Sequence, residues 1–377
     1  MIRPIGMDIY GPAIPNLSQN FTGGLPLVQY TVSSYVLSLG LGQLIFGPIA
    51  DFYGRRKTIL GSVALFMFGS IFAWRAPNIY WLIIARAIQG LAAAGTTVTS
   101  FAIIRDMYSY SRRARAYSLI NFYASWMPLV SPTVGGLIII HTRNWRNIFL
   151  LLIFFSLITF IVIYKKLKET NKSKNNLNWL HILRKYYLVY SSTYFLRYLA
   201  TGITSLATFF TFFSIAPIVI IEQLGVREDK FGLYFGINGL VYLISNKAAI
   251  KIINKVGPNQ TIRIGQIITF IGAGIMLLFA KYSKLSVFSL IFPNSIISFG
   301  VGLTLGSSLS CALEPFKHVA GIASAAYGAG QSLGAVFIGT YVIFHYGPSI
   351  HTLSITVLSM VLLSMLILPT KNTCKKV

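Results

Sequence analysis

The chain has 377 residues, of which 55% are hydrophobic and only 11% charged, with a mean hydropathy of +0.68. A soluble domain carries about 25% charged residues, so this chain lacks the charge to cover a water-facing surface, and a disordered or collagen-like chain is excluded as well. The net charge of +24 comes from 32 Lys and Arg against 8 Asp and Glu; the basic residues stand in short clusters between apolar runs, which orients a membrane protein and argues against a nucleic-acid partner.

A bilayer-spanning helix needs about 20 apolar residues. Runs of that kind fall at roughly 2–21, 29–50, 59–76, 79–104, 115–140, 146–164, 194–221, 231–253, 262–280, 286–311, 321–345 and 349–369. The expectation is an all-α integral membrane protein with twelve transmembrane helices. Of the 32 Lys and Arg, 22 lie in the even-numbered connections and the C-terminal tail, and 7 lie in the odd-numbered connections. The positive-inside rule therefore puts the even connections and the C-terminus in the cytoplasm.

Span one carries Asp8, the single acid expected at membrane depth. Asp51, Asp106, Glu169, Glu222, Glu228, Asp229 and Glu314 all fall in loops or at span ends. An ionisable residue inside a membrane is a functional-site candidate by default, because an apolar setting disfavours its charged form and primes it for proton exchange. The bland alternative is a buried acid paired permanently with Arg86 or another donor. Only seven residues precede Asp8, about 10 Å of helix, where half a membrane needs about 15 Å. Span one is thus expected to be short. A start taken at a downstream methionine, a truncated gene and a genuinely short helix all stay open.

Between spans two and three runs Gly47-Pro-Ile-Ala-Asp51-Phe-Tyr-Gly54-Arg55-Arg56-Lys57. Gly47 and Gly54 permit a tight turn and close helix approach. Asp51 can cap a helix N-terminus or pair with an arginine. Span four carries Arg86 and Gln89, then Asp106 at its basic end. An arginine inside a span costs about 2.5 kcal/mol or more and needs an acidic or polar partner. Span five carries Pro128, Ser131, Pro132, Gly135 and Gly136, which reads as a kinked helix built for close packing.

The longest connection, 166–193, is rich in lysine and divides the chain into two sets of six spans: 1–165, a basic linker over 166–193, and 194–377. A faint repeat crosses the divide. Gly54-Arg-Arg-Lys-Thr-Ile59 follows span two and Gly257-Pro-Asn-Gln-Thr-Ile262 follows span eight, with Asp51 and Asn254 each three residues upstream. Two six-span halves related by a parallel repeat form a transporter architecture. Substrate-cavity candidates are the polar or aromatic span residues Tyr30, Ser34, Gln43, Gln89 and Tyr123, then Phe209, Asn238, Asn294, Tyr327 and Gln331; each alone is more often a packing residue. Cys311 and Cys374, the only cysteines, and the scattered histidines define no metal site, and no catalytic or cofactor motif is present, so neither an enzyme nor a cofactor is expected.

The stretch from Gly47 to Lys57 resembles the signature loop of the major facilitator superfamily. In that family Gly47, Asp51, Gly54, Arg55 and Arg56 would form a cytoplasmic gate joined by Asp106. Arg86-Ala-Ile-Gln89-Gly90 resembles its second motif, and Pro128, Pro132, Gly135 and Gly136 resemble its antiporter motif, with Ser131 where glycine is usual. Met7-Asp8-Ile9-Tyr10-Gly11-Pro12-Ala13-Ile14-Pro15 resembles the first span of the Bcr/CflA multidrug/proton antiporters. Trp145-Arg146-x-Ile148-Phe149, Phe231-Gly232-x-x-Phe235-Gly236-x-Asn238 and His318-Val-Ala-Gly321-x-Ala-Ser324 fit the same subfamily. The resemblance implies a monomeric proton-coupled exporter of small amphipathic drugs (bicyclomycin, amphenicols or sulfonamides) in a bacterial inner membrane. Its site would be Asp8, Arg86, Gln89, Tyr30, Ser34, Tyr123, Asn238 and Gln331. A proton-coupled importer of a small metabolite on the same fold, or an inactive truncated relic, are the alternatives.

Overall fold

A computed structural model describes residues 2–21, 24–108, 110–171 and 179–368, with the side chains of Lys317, His318 and much of 110–125 outside the description. Lys172, Lys174 and Cys374 lie outside the described residues. Among these residues there are fourteen α-helices and no strand. They are α1 (Ile2–Asp8), α2 (Ala13–Asn20), α3 (Gly24–Tyr53), α4 (Arg55–Trp74), α5 (Ile79–Met107), α6 (Tyr110–Thr142) and α7 (Arg146–Lys166). After them come α8 (Trp179–Tyr190), α9 (Thr193–Pro217), α10 (Glu228–Val256), α11 (Pro258–Tyr282), α12 (Val287–Leu313), α13 (Ala320–Tyr346) and α14 (Ile350–Ile367). Eight of these segments are both long and apolar enough to cross a membrane. At 1.5 Å per residue, α6, α10 and α13 have the length as well, and α1 with α2 makes the remaining crossing.

Two expectations need correction. Span one is broken: α1 stops at Asp8 and α2 starts at Ala13. Pro12 and Pro15 lack an N–H, and Ala13 and Ile14 bond only three residues back, to the carbonyls of Tyr10 and Gly11. The 166–193 connection is not all linker, since α8 occupies its second part. Trp179–Tyr190 is too short to span, but its apolar residues fall at helical spacing. Tyr186 and Val189 turn inward while Leu180, Leu183 and Tyr187 are exposed. Span seven also ends in a wide π-turn over Ile218–Gln223, directly after Pro217.

The repeat is visible in the backbone. Gly54 precedes α4 with φ 95° and ψ 156°, and Gly257 precedes α11 with φ 86° and ψ 164°. Only glycine adopts that region without strain. The same sharp turn therefore recurs at equivalent places in the two halves.

Helices from the two sides of α8 meet along two seams, α3 with α13 and α6 with α10. Both seams rely on small residues, as membrane packing requires. A Cβ at Gly40 would press on Ser332 and the Ala329 carbonyl, and one at Gly232 would overlap Thr133. Large apolar side chains such as Phe154 on α7 and Phe337 on α13 point outward, as a lipid-facing surface demands.

Candidate functional site

The break in span one places Asp8 and Tyr10 inside the first six spans. Asp8 is 8% exposed, and its carboxyl has no hydrogen bond among the described residues. The nearest charge acting on it is Arg3, about one and a half turns earlier in α1. Arg86 on α5 is wholly buried and does not pair with Asp8, so the reading of a permanent ion pair between them is not borne out by the geometry. The guanidinium instead sits between two rings, 4.6 Å from Tyr10 and 4.3 Å from Tyr35. Its Nη1 donates to the Gly6 carbonyl and to Gln89 Oε1, both at 2.8 Å, while Nε and Nη2 have no partner. Gln89 passes the chain on to Ser70 Oγ. Tyr10 Oη reaches Thr31 and Tyr35 Oη donates to the Arg3 carbonyl. This cluster ties α1 to α3, α4 and α5 through a cation whose charge is met by aromatic faces and carbonyl dipoles.

At the basic end, Arg55 is the centre of a second cluster. It pairs with Asp51 one turn back, and its Nε donates to Asp106 Oδ2 at 2.9 Å. Glu169 completes the arrangement from just past α7. Its carboxylate accepts the backbone N–H of Arg55 at 2.9 Å and of Arg56 at 3.2 Å. Burial alone would push the Glu169 carboxyl up, but the N–H groups of Asn171, Arg55, Arg56 and Thr170 outweigh it and hold it below the usual carboxylate range. Arg56 donates to the Tyr164 carbonyl and lies over the Tyr164 ring. All these partners precede α8.

Between the two halves lies a cavity of about 1050 Å³, open toward the basic end. Gly47, Asp51 and Arg55 line its mouth; Gln43, Tyr327 and Gln331 line its walls. The other expected cavity residues do not reach it. Tyr30 and Tyr123 are exposed on the outer surface. Ser34 bonds to the Ile83 carbonyl and seats α3 on α5. Asn238 receives Asn294 Nδ2 at 3.0 Å inside the second half, and Phe209 packs edge-on against Tyr242. Asp8, Arg86 and Gln89 lie behind the wall.

The opposite end is sealed. Gln29 Nε2 donates to the Ser214 carbonyl at 3.0 Å, and the Ser33 and Thr340 hydroxyls meet at 2.7 Å. The antiporter-motif residues take part. Helix α6 runs through Pro128 and Pro132, and a Cβ at Gly135 would overlap the Ile9 carbonyl. One at Gly136 would overlap the Glu228 carbonyl at the start of α10. One end closed and the other open around a central chamber is a geometry for moving a solute, with no side chains arranged for covalent chemistry among the described residues.

The family model of the Major Facilitator Superfamily matches residues 1–339. The chain belongs to that superfamily of membrane transporters. It is 27% identical to a chloramphenicol resistance protein of Pseudomonas aeruginosa, over 90% of this chain and 80% of that one. It is 26% identical to a bicyclomycin resistance protein homolog of Haemophilus influenzae, over 91% of this chain and 86% of that one. Among solved structures, a D-xylose–proton symporter superposes with a TM-score of 0.77 at 17% identity, covering 99% of this chain and 97% of that one. At that identity the likeness speaks for the fold alone.

Sequence reasoning named Glu169 only as a loop acid and passed over Arg3. The signal for Glu169 was its isolation, as the one acid in a lysine-rich stretch. For Arg3 it was a cation within an apolar run, five residues before the only membrane-depth acid.

Proposed function

We propose that the chain is a proton-coupled drug exporter working by alternating access, with Asp8 as the proton carrier. The observation that carries this reading is the position of Asp8. It is a buried carboxyl without a hydrogen-bond partner, at the break of span one and beside a chamber open at one end only. The drug-resistance names of the relatives support export over import, with bicyclomycin, amphenicols and sulfonamides as first substrates to try.

In this reading the protein sits as a monomer in a bacterial inner membrane, and the basic end and the C-terminus face the cytoplasm. Residues 1–165 and 194–377 rock about the chamber, and 166–193 joins them. Drug enters from the cytoplasmic side, the basic end closes, and the far seam opens. Protonation of Asp8 from outside favours release, and its deprotonation toward the cytoplasm resets the cycle. Arg86, held by Tyr10, Tyr35, Gly6 and Gln89, keeps the Asp8 segment in place. The Asp51–Arg55–Asp106–Glu169 cluster shapes the cytoplasmic mouth. Gln331 contacts solute; Ser34 and Asn238 act through helix packing, and the exposed Tyr30 and Tyr123 take no part in the site.

The test is proton release from acid-loaded everted vesicles on addition of chloramphenicol, bicyclomycin or a sulfonamide. Drug-triggered alkalinisation of the lumen is expected for at least one compound. Silence with all three, from protein shown to be in the membrane, overturns the reading.

A further inference from the structure

The charges that face the chamber are one-sided. Arg3, Arg55, Arg105 and Lys185 line it, against a single carboxylate, Asp51. That carboxylate is engaged by Arg55. The chain's other seven acids are placed elsewhere. Asp8 is behind the wall, Asp106 is on Arg55 and Arg105, and Glu169 is on backbone amides. Glu314 meets Tyr194, and Glu222, Glu228 and Asp229 are at the sealed end.

Cations at the mouth follow from membrane orientation alone. Arg3 does not. Its carbonyl accepts Tyr35 Oη, and Tyr35 stands 11 residues from Gly24 and 18 from Tyr53, about 17 Å and 27 Å of helix from the two ends of the 30-residue α3. Arg3 is therefore near mid-membrane. It lines the cavity together with Gln43 from the first half and Tyr327, Gln331 and Ser332 from the second, so it lies between the halves. The guanidinium is exposed to the cavity and has no hydrogen bond or ion pair among the described residues. A cation held at membrane depth and facing an open cavity marks a substrate path and attracts anionic groups. Between Arg3 and the mouth the cavity walls offer Val98, Phe101, Leu309 and Ile322 for an apolar body and Gln331 for a polar edge.

We propose that the chamber takes amphipathic organic anions, that Arg3 receives the anionic head, and that lipophilic cations are rejected. This inference rests on reading the chamber as the transport site. Arg3 acts as a specificity-determining residue. Its planar fork suits a carboxylate or a similar oxyanion.

The experiment uses the full chain purified in detergent and three probes on one ring system: 2-naphthoate, 2-naphthamide and 2-naphthylmethylamine. Binding is followed by titration calorimetry, with no proton gradient present. The wild type is expected to bind naphthoate about tenfold or more tighter than the amine. Arg3→Ala and Arg3→Gln should each weaken naphthoate by about tenfold and leave the amide within about twofold, which also shows that the variants fold. Arg3→Lys should restore part of the loss. Equal or tighter binding of the amine, or an unchanged naphthoate affinity in Arg3→Ala, overturns the proposal. Binding is read apart from coupling, so a chain that fails the vesicle test still answers this one. A chain that exchanges protons for neutral drugs but ignores the naphthoate charge sinks this inference alone.

Discussion

Glu169 caps the backbone N–H of Arg55 across 114 residues of chain. The contact joins the segment after α7 to the first turn of α4, and it sits behind the glycine that makes the turn. A Cβ at Gly54 would strike the Glu169 carboxylate, so glycine is needed there for space as well as for its φ of 95°. The cap, the turn and the Arg55 ion pairs form one unit at the mouth of the chamber.

Replacing Glu169 with Ala should therefore loosen the Gly54 turn. Loss of a helix N-cap costs about 0.5–2 kcal/mol. The expected result is faster tryptic cleavage at Arg55, Arg56 or Lys57 and a lower unfolding temperature in detergent. Glu169→Gln, which keeps an acceptor, should fall between the two.

The same cap predicts a pH response. The folded-state value of Glu169 is held below the unfolded one. Its stabilisation is thus fully present above the ordinary carboxylate range and lost as pH falls through the lowered value. The difference in unfolding temperature between the parent and Glu169→Ala in detergent should not change between mildly acidic and neutral pH. A difference that decays already near neutrality would contradict the assignment.

Arg86 carries a different prediction. Its cation is balanced by two rings and two acceptors and has no carboxylate. Lysine keeps the charge and its desolvation cost but loses the planar stacking. Arg86→Lys should destabilise the protein by about 2–3 kcal/mol, since a desolvated cation–π contact contributes about 2 kcal/mol. Thermal unfolding in detergent reads this directly, and a variant as stable as the parent would refute the clamp.

Gly136 controls the sealed end. Any side chain there meets the Glu228 carbonyl. Gly136→Val should open the seam between α6 and α10 and shift the population toward the other state. Ser33 and Thr340 report it, because their hydroxyls are 2.7 Å apart when the end is closed. A Ser33→Cys/Thr340→Cys pair should form a disulfide readily in the parent and about tenfold more slowly with Gly136→Val added.

Much of this architecture was legible in the sequence, for physical reasons. A bilayer forces about 20 apolar residues into each crossing, so the spans stand out. The Gly54–Gly257 repeat was legible because both turns need a conformation open to glycine alone. The break in span one was less so: Pro12 and Pro15 read as motif residues, while the turn they force depends on what packs around it. Helix α8 was hidden because a short amphipathic helix has no run of spanning length. Cavity residues were the hardest to read. Polar side chains such as Ser34 and Asn238 satisfy one another or nearby carbonyls within a half, and composition does not separate these from side chains that face an open chamber. Gln331 differs from Gln89 only in which wall its helix presents.

The most direct test of proton coupling at Asp8 compares two transport modes in Asp8→Asn. Everted vesicles would be given labelled chloramphenicol, or whichever compound triggers proton release, in the outer medium. Uphill uptake under an imposed proton gradient would be measured beside exchange at equilibrium without one. The account predicts that Asp8→Asn loses gradient-driven accumulation and keeps exchange, because the asparagine fills the same space but cannot carry the proton. Uphill accumulation at the wild-type level in Asp8→Asn would contradict it.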